Sequence, residues 1–183
     1  MRYTAILGFL MFSIPAFAQV IDELPTDENG IVNFNEVITI DSATKDELYV
    51  RAKQAFVNIF KSADDVIQMD DKEAGILMGK GYGTAIIDNG VMGKLPMKVW
   101  YTIRIQCRDG RYKYEIYNIY LGDVYRKNAT AESLFDKKNY YKANGEPRIF
   151  NQKYKVAVLE QIESLTSVIK SQMVINETKK EDW

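Results

Sequence analysis

The chain holds 183 residues, with 24 basic side chains against 25 acidic ones, no histidine and one cysteine. Without histidine there is no Ser-His-Asp or Cys-His machinery and no histidine metal site, and one cysteine builds neither an intramolecular disulfide nor a thiolate zinc site. A formal charge of −1 supplies no field for gripping nucleic acid, and 46% hydrophobic with 27% charged residues is the composition of one ordinary folded domain.

Residues 1–18 read as an export signal. Arg2 gives a positive start, Thr4 to Ile14 is an uncharged and mostly apolar run, and Pro15 ends it. Ala16-Phe17-Ala18 then offers the small-x-small pattern that signal peptidase cleaves. About eleven residues are too few to span a bilayer, which takes roughly twenty. Position 19 is Gln rather than Cys, so the lipid-anchored form of bacterial export has no acceptor. Cleavage after Ala18 removes 18 of the 183 residues and one arginine, leaving 165 residues with 23 basic and 25 acidic side chains, a net charge of −2. No later segment is apolar enough to cross a membrane. The expected product is periplasmic or secreted, and not a lipoprotein.

Residues 19–30 form a polar lead-in that ends in a turn at Asn29-Gly30, and residues 31–175 make up a single α+β domain. Ile31 to Ile40 alternates as a strand, with Val32, Phe34, Ile38 and Ile40 on one face and Asn33, Asn35, Val37 and Thr39 on the other. Thr44-Lys45-Asp46-Glu47 is a capping box, with Thr44 as N-cap and Glu47 three residues into the helix. The helix it opens runs to about Lys61, and Leu48, Ala52, Ala55, Phe56 and Ile59 form its apolar stripe. Ala63 to Asp71 reads as a short strand, reversing through Asp70-Asp71-Lys72-Glu73 into a longer strand from Ala74 to Ile87. Gly79, Gly81, Gly83 and Ala85 leave one face of that strand nearly bare, as happens where a helix packs closely or a sheet bends. Met78, Lys80, Tyr82, Thr84 and Ile86 take the other face.

Met97 to Cys107 and Arg111 to Leu121 flank Asp109-Gly110, a pair suited to a two-residue type I′ hairpin turn. Pairing Arg108 with Arg111 sets one register for the whole hairpin. Cys107, Ile105, Ile103 and Tyr101 then oppose Tyr112, Tyr114, Ile116 and Asn118 on a core face. The other face pairs Gln106 with Lys113, Arg104 with Glu115, Thr102 with Tyr117 and Trp100 with Ile119. Arg104 opposite Glu115 is a cross-strand ion pair worth a few tenths of a kcal/mol. Residues 122–151 read as a long polar loop with one helical turn near Ala131 to Lys138 and a reversal at Asn144-Gly145. A helix from about Gln152 to Val174 follows, striped by Tyr154, Val158, Ile162, Leu165, Ile169 and Met173, and residues 176–183 are a frayed tail. The order is β-α-β-β-β-β-α. One antiparallel sheet with both helices on a single face buries every apolar stripe.

Leu24 to Gly30 (LPTDENG), the FNEV of the first strand, Lys45 to Phe56 (KDELYVRAKQAF), Phe60 to Ser62, Val66 to Gly81 (VIQMDDKEAGILMGKG) and Arg108 to Ile116 (RDGRYKYEI) carry a resemblance. Together they are similar to a bacterial secreted family of unknown function described as having a TATA-box-binding-protein-like (TBP-like) fold. The resemblance covers about residues 24–121. It implies a curved antiparallel sheet backed by helices, brings no catalytic residues, and does not transfer DNA binding with the fold.

Four features of the sequence could carry chemistry. Gly75 to Gly81 is one residue short of a phosphate loop, and Gly81 stands where Ser or Thr must hold magnesium. Asp64, Asp65, Asp70, Asp71 and Glu73 gather five carboxylates that could serve calcium or act as an acid–base pair, but without regular calcium-loop spacing. Cys107 faces the core with no histidine to activate it. Nine of the twelve tyrosines lie between Tyr101 and Tyr154, and the hairpin sets part of this aromatic wealth on the face without helices. Trp100, Tyr117 and Ile119 with Thr102, Arg104, Lys113 and Glu115 form the candidate binding face there. The expected function is therefore an exported, non-enzymatic binding module of the cell envelope, with no cofactor and with a protein or small-molecule ligand of open identity. The alternatives are a carboxylate-dependent hydrolase near Asp70, Asp71 and Glu73, and a structural or assembly component whose open face is an oligomer contact.

Overall fold

In the computed structural model of the protein, residues 24–60, 66–88, 90, 93–122 and 127–174 are described. The export signal at 1–18, Asp64, Asp65 and the tail at 176–183 lie outside them. The capping box forms as the sequence requires. Thr44 N–H donates to Glu47 Oε2 at 2.8 Å, and Glu47 N–H donates back to Thr44 Oγ1 at 3.3 Å. It opens helix α1, Lys45–Phe60, behind strand β1, Asn33–Thr39. Strands β2 (Ile67–Asp71), β3 (Ile76–Asp88), β4 (Lys94–Arg108) and β5 (Arg111–Gly122) follow.

The stretch expected to be a loop carries more structure than its pattern shows. It contains strand β6 (Lys127–Thr130) and two short helices, α2 (Ala131–Phe135) and α3 (Lys137–Tyr140). Each of the last two is held by a local cap rather than by an apolar period: Ser133 N–H donates to Thr130 Oγ1, and Lys138 N–H to Asp136 Oδ1. The long helix α4, Ile149–Met173, begins three residues earlier than its stripe indicates. The Asn151 side-chain amide donates to the carbonyls of Leu134 and Asn139, which fastens the start of α4 to α2 and α3.

All six strands join one open antiparallel sheet in the order β1-β5-β4-β3-β2, with β6 also paired to β5. Strand β1 pairs with Arg111 to Tyr117 and β6 with Tyr120 to Gly122, so the two lie end to end along one edge of β5. The fold is α+β, as the pattern of apolar stripes demands. Strand residues Leu77, Val99, Ile103, Ile105 and Ile116 are buried beneath Leu48, Ala52 and Phe56 of α1 and Val158, Ile162 and Ile169 of α4. Each such side chain contributes about 1.5–3 kcal/mol by leaving water. The two helices are tied at their ends as well, because Arg51 Nη1 donates to the Met173 carbonyl at the C-terminus of α4.

The bare face of β3 is where the helices come down. A Cβ added to Gly79 would stand 2.7 Å from Phe56 Cε1, Gly81 lies under the Phe60 ring, and Gly83 lies under the Gln161 amide. The glycines are thus a packing surface for α1 and α4, and the run from Gly75 to Gly81 is strand rather than a phosphate loop. Cys107 is buried on the same side, where burial pushes its thiol up to about 12. Replacing Gly79 by Val is expected to destabilise the protein by about 1–3 kcal/mol through overpacking against a fully buried ring. Urea denaturation checks this, and a midpoint equal to that of the parent would show that α1 does not rest on this strand.

Candidate functional site

The hairpin register holds from Arg108–Arg111 as far as Thr102–Tyr117, then shifts by one residue. Beyond the shift Trp100 pairs with Tyr120, Val99 with Leu121 and Lys98 with Gly122. Strand β5 carries an extra residue here. Asn118 adopts φ 52, a left-handed conformation that Asn tolerates better than most residues, and this is a β-bulge. The bulge overturns one expected site residue. Ile119 does not sit on the open face opposite Trp100 but turns into the core, where it is 1% exposed, and Tyr120 takes the outward place. The physical reason is the two-residue period of a strand: one inserted residue exchanges the two faces for everything after it.

The remaining expected residues do share the open face. Thr102 is its floor, 2% exposed between register partners Lys80 and Tyr117. The Tyr117 hydroxyl reaches Met78 Sδ at 3.4 Å, and its acidity is weakened chiefly by burial. Asn33 Oδ1, on the β1 residue paired with Tyr117, is buried with no hydrogen bond among the described residues. Glu115 bridges two cations, with Arg104 Nη1 at 3.1 Å and Lys113 Nζ at 2.8 Å. The expected Arg104–Glu115 pair is therefore present, as part of a triad.

Two features of the site were not read from the hairpin. Strand β3 sets Tyr82 opposite Trp100, with ring centroids 4.6 Å apart and planes at 52°. Lys98 Nζ lies over both, 3.7 Å from the Tyr82 centroid and 5.2 Å from that of Trp100. A cation over two aromatic faces is held by their quadrupoles, and its charge stays at the surface. Beside this cluster, at the bulge, a cavity of about 240 Å³ is lined by Lys80, Trp100, Thr102, Asn118 and Tyr120 among others. The Tyr82 alternation was visible in the sequence, but its register to β4, which runs on to Asp88 opposite Lys94, was not read there. Tyr120 was hidden by the bulge.

The carboxylate cluster has another purpose. Asp70 is paired with Lys53 Nζ at 2.7 Å and accepts the Tyr49 hydroxyl, while Asp71 Oδ1 accepts the Ala74 N–H at 2.9 Å to close the β2–β3 turn. Asp71 and Glu73 are exposed on that turn. An acid–base pair needs one carboxyl desolvated enough to keep its proton, and an exposed turn does the opposite. Among the described residues, no three acidic or thiol side chains stand together as a metal site.

Burial by itself raises the Glu115 carboxyl, but the hydrogen bonds and charges of Lys113 and Arg104 outweigh it and hold the group below 4.5. A carboxyl lowered in the folded state adds stability above its unfolded value, and that stability is lost as pH falls through the folded one. Glu115→Gln is therefore expected to cost about 1 kcal/mol at pH 7. The difference from the parent should shrink below pH 4. Parallel denaturation curves at pH 7 and pH 3 check it; a pH-independent difference would show that packing rather than charge is lost.

The family model of a domain of unknown function with a TBP-like fold (DUF4468) matches residues 34–121, which include the aromatic cluster, the bulge and the ion triad but not α4. A DUF4468 family protein from Bacteroides ovatus superposes with a TM-score of 0.72 at 15% identity, covering 87% of this chain and 95% of that one. A TBP-like protein from Parabacteroides distasonis gives a TM-score of 0.60 at 18% identity, covering 82% and 97% respectively. No curated protein matches the sequence. At such identities the structural likeness shows the fold alone. Over residues 34–121 the chain is thus similar to the DUF4468 domain of unknown function, and the fold it shares with these structures is TBP-like.

Proposed function

We propose that the protein is an exported, non-enzymatic binding module that holds a protein segment or small molecule on the open face of its sheet. Export rests on the pattern of Arg2, the apolar run to Ile14 and Ala16-Phe17-Ala18. No helix among the described residues is long and apolar enough to cross a membrane. The observation that carries the binding reading is the Tyr82–Trp100–Lys98 cluster beside the cavity at Thr102, Asn118 and Tyr120. In the described structure α1, α2 and α4 pack together behind the sheet, and none of them lies over this cluster. Aromatic rings with a polar rim and a small recess give large contact area at low entropic cost, which is what recognition surfaces use.

Ligand-observed NMR against a mixed panel of short peptides and soluble oligosaccharides tests the reading. A ligand found in this way is expected to lose at least about tenfold in affinity with Tyr82→Ala and Trp100→Ala combined, as for a central aromatic anchor. The single variant Tyr82→Ala should keep the melting temperature of the parent, since Tyr82 is 46% exposed, and it serves where loss of the half-buried Trp100 ring lowers the stability of the double variant. Affinity unchanged by the double variant would remove the site. A parent of dimeric solution mass that becomes monomeric in the variant would replace ligand capture by the assembly role.

A further inference from the structure

The same sheet face has a second chemical character at its hairpin end. Arg108 and Arg111 are register partners beside the Asp109-Gly110 turn, and Gln106 pairs with Lys113 one step along. Strand β1 places Thr39 against Arg111 and Val37 against Lys113. A cavity of about 250 Å³ opens among Val37, Gln106, Arg108, Arg111 and Lys113. Three cations thus surround one recess on a chain whose formal charge is −1.

The carboxylates that could neutralise them are engaged elsewhere. Asp109, the turn residue between the two arginines, accepts the Lys45 N–H at 2.7 Å and so is drawn to the start of α1 behind the sheet. The turn is fixed in that position, because Gly110 N–H donates to the Ala43 carbonyl and Ile40 N–H to the Gly110 carbonyl. Glu115 is already shared between Arg104 and Lys113. Neither Arg108 nor Arg111 makes an ion pair with any described residue. Like charges directly opposite each other on neighbouring strands repel. The fold keeps this unfavourable pair in place without an ion-pair partner among the described residues.

We propose that this corner is a binding site for a phosphate monoester, with Arg108 and Arg111 as its two guanidinium forks. A phosphate monoester carries a charge of about −1.5 to −2 at pH 7, which matches two unpaired guanidinium groups. Planar guanidinium donors bind such oxygens in pairs, which the ammonium of Lys113 cannot do. Lys113, already half-neutralised by Glu115, adds a third and weaker attraction, and the Gln106 amide can donate to an ester oxygen. Val37, 59% exposed at the rim, gives the organic part of an ester an apolar contact. The site uses none of the residues of the Tyr82–Trp100 cluster, so it stands or falls apart from the binding role proposed above.

Titration with inorganic phosphate and with glycerol phosphate, followed by amide NMR at constant ionic strength, tests the site, with sodium chloride as the control. Saturable shifts are expected at Gln106, Arg108, Arg111 and Lys113, with a rise in melting temperature that chloride does not reproduce. Arg108→Gln with Arg111→Gln should weaken phosphate binding at least tenfold while melting no lower than the parent, because repulsion is removed. Arg111→Lys, which keeps the charge and loses the fork, should give a smaller loss and serves if the double variant folds poorly. Tyr82→Ala with Trp100→Ala should leave phosphate affinity unchanged. Shifts that stay linear and are matched by chloride, or a double glutamine variant that binds as the parent does, would overturn the proposal. Binding of glycerol phosphate but not inorganic phosphate would support an ester held partly through Val37.

Discussion

The close seating of α1 and α4 on one face of β3 is the constraint from which the rest follows. Phe56 and Phe60 can come this close to the strand only because Gly79 and Gly81 offer no Cβ to hold them off. Once both long helices are on that side, the buried strand residues beneath them have their cover and the sheet needs nothing on the other. The open face is therefore a consequence of how the core is filled. It is also free to carry side chains chosen for something other than packing, such as Tyr82 at 46% exposure. A large side chain in the glycine column would lift α1 and disturb both faces at once.

The bulge at Asn118 does for the open face what the glycines do for the core. Strand β5 has to serve two partners on one edge, β1 along its first half and β6 near its end. The inserted residue falls between them. It turns Ile119 and Leu121 inward, where they are 1% and 2% exposed, and brings Tyr120 out beside Trp100. Without the insertion an isoleucine and a leucine would face outward, and the core would receive Tyr120 in place of two branched apolar side chains. The recess at Thr102 thus has a structural origin: it lies where the strand departs from its period.

This division explains what the sequence made legible. Periodicity and caps are local, so the strand faces of β1, the box at Thr44 and Glu47, the place of the turn at Asp109-Gly110 and the stripe of α4 could all be read directly, whereas the type I′ form expected of that turn is not adopted, since Gly110 alone of the pair has a positive φ. Arg104 opposite Glu115 followed from that turn, since the hairpin register propagates from it. The same propagation failed at Ile119, because nothing in Tyr117-Asn118-Ile119 marks a bulge except an Asn that also suits a regular strand position. Tyr82 was legible as an outward residue but not as a neighbour of Trp100, since alternation gives the face of a strand residue and not its partner on the next strand. Strand β6 and the splitting of the expected helical turn near Ala131 to Lys138 into two short helices were not legible, because elements of four or five residues leave no period to detect.

The charge of the chain is the least informative of its totals. A balance of 24 basic against 25 acidic residues suggests a surface without preference. The acidic side chains, however, are disproportionately used to hold the fold: Glu47 in the capping box, Asp109 on the start of α1, Asp27 in the turn before β1, and Glu132 on the Val32 N–H. Glu36 is held below its ordinary range first by its hydrogen bond to Lys170 and then by that to Tyr114, behind the sheet. An oxygen acceptor is what an unsatisfied backbone N–H requires, so carboxylates can do such work while guanidinium and ammonium groups cannot. Bases can then gather, and Arg108 and Arg111 do so beside Lys113, itself shared with Glu115. A chain near neutrality can in this way present a cationic recess at one end of a sheet whose other end is aromatic. Its partners are to be sought from the arrangement of those two ends and not from the sum of its charges.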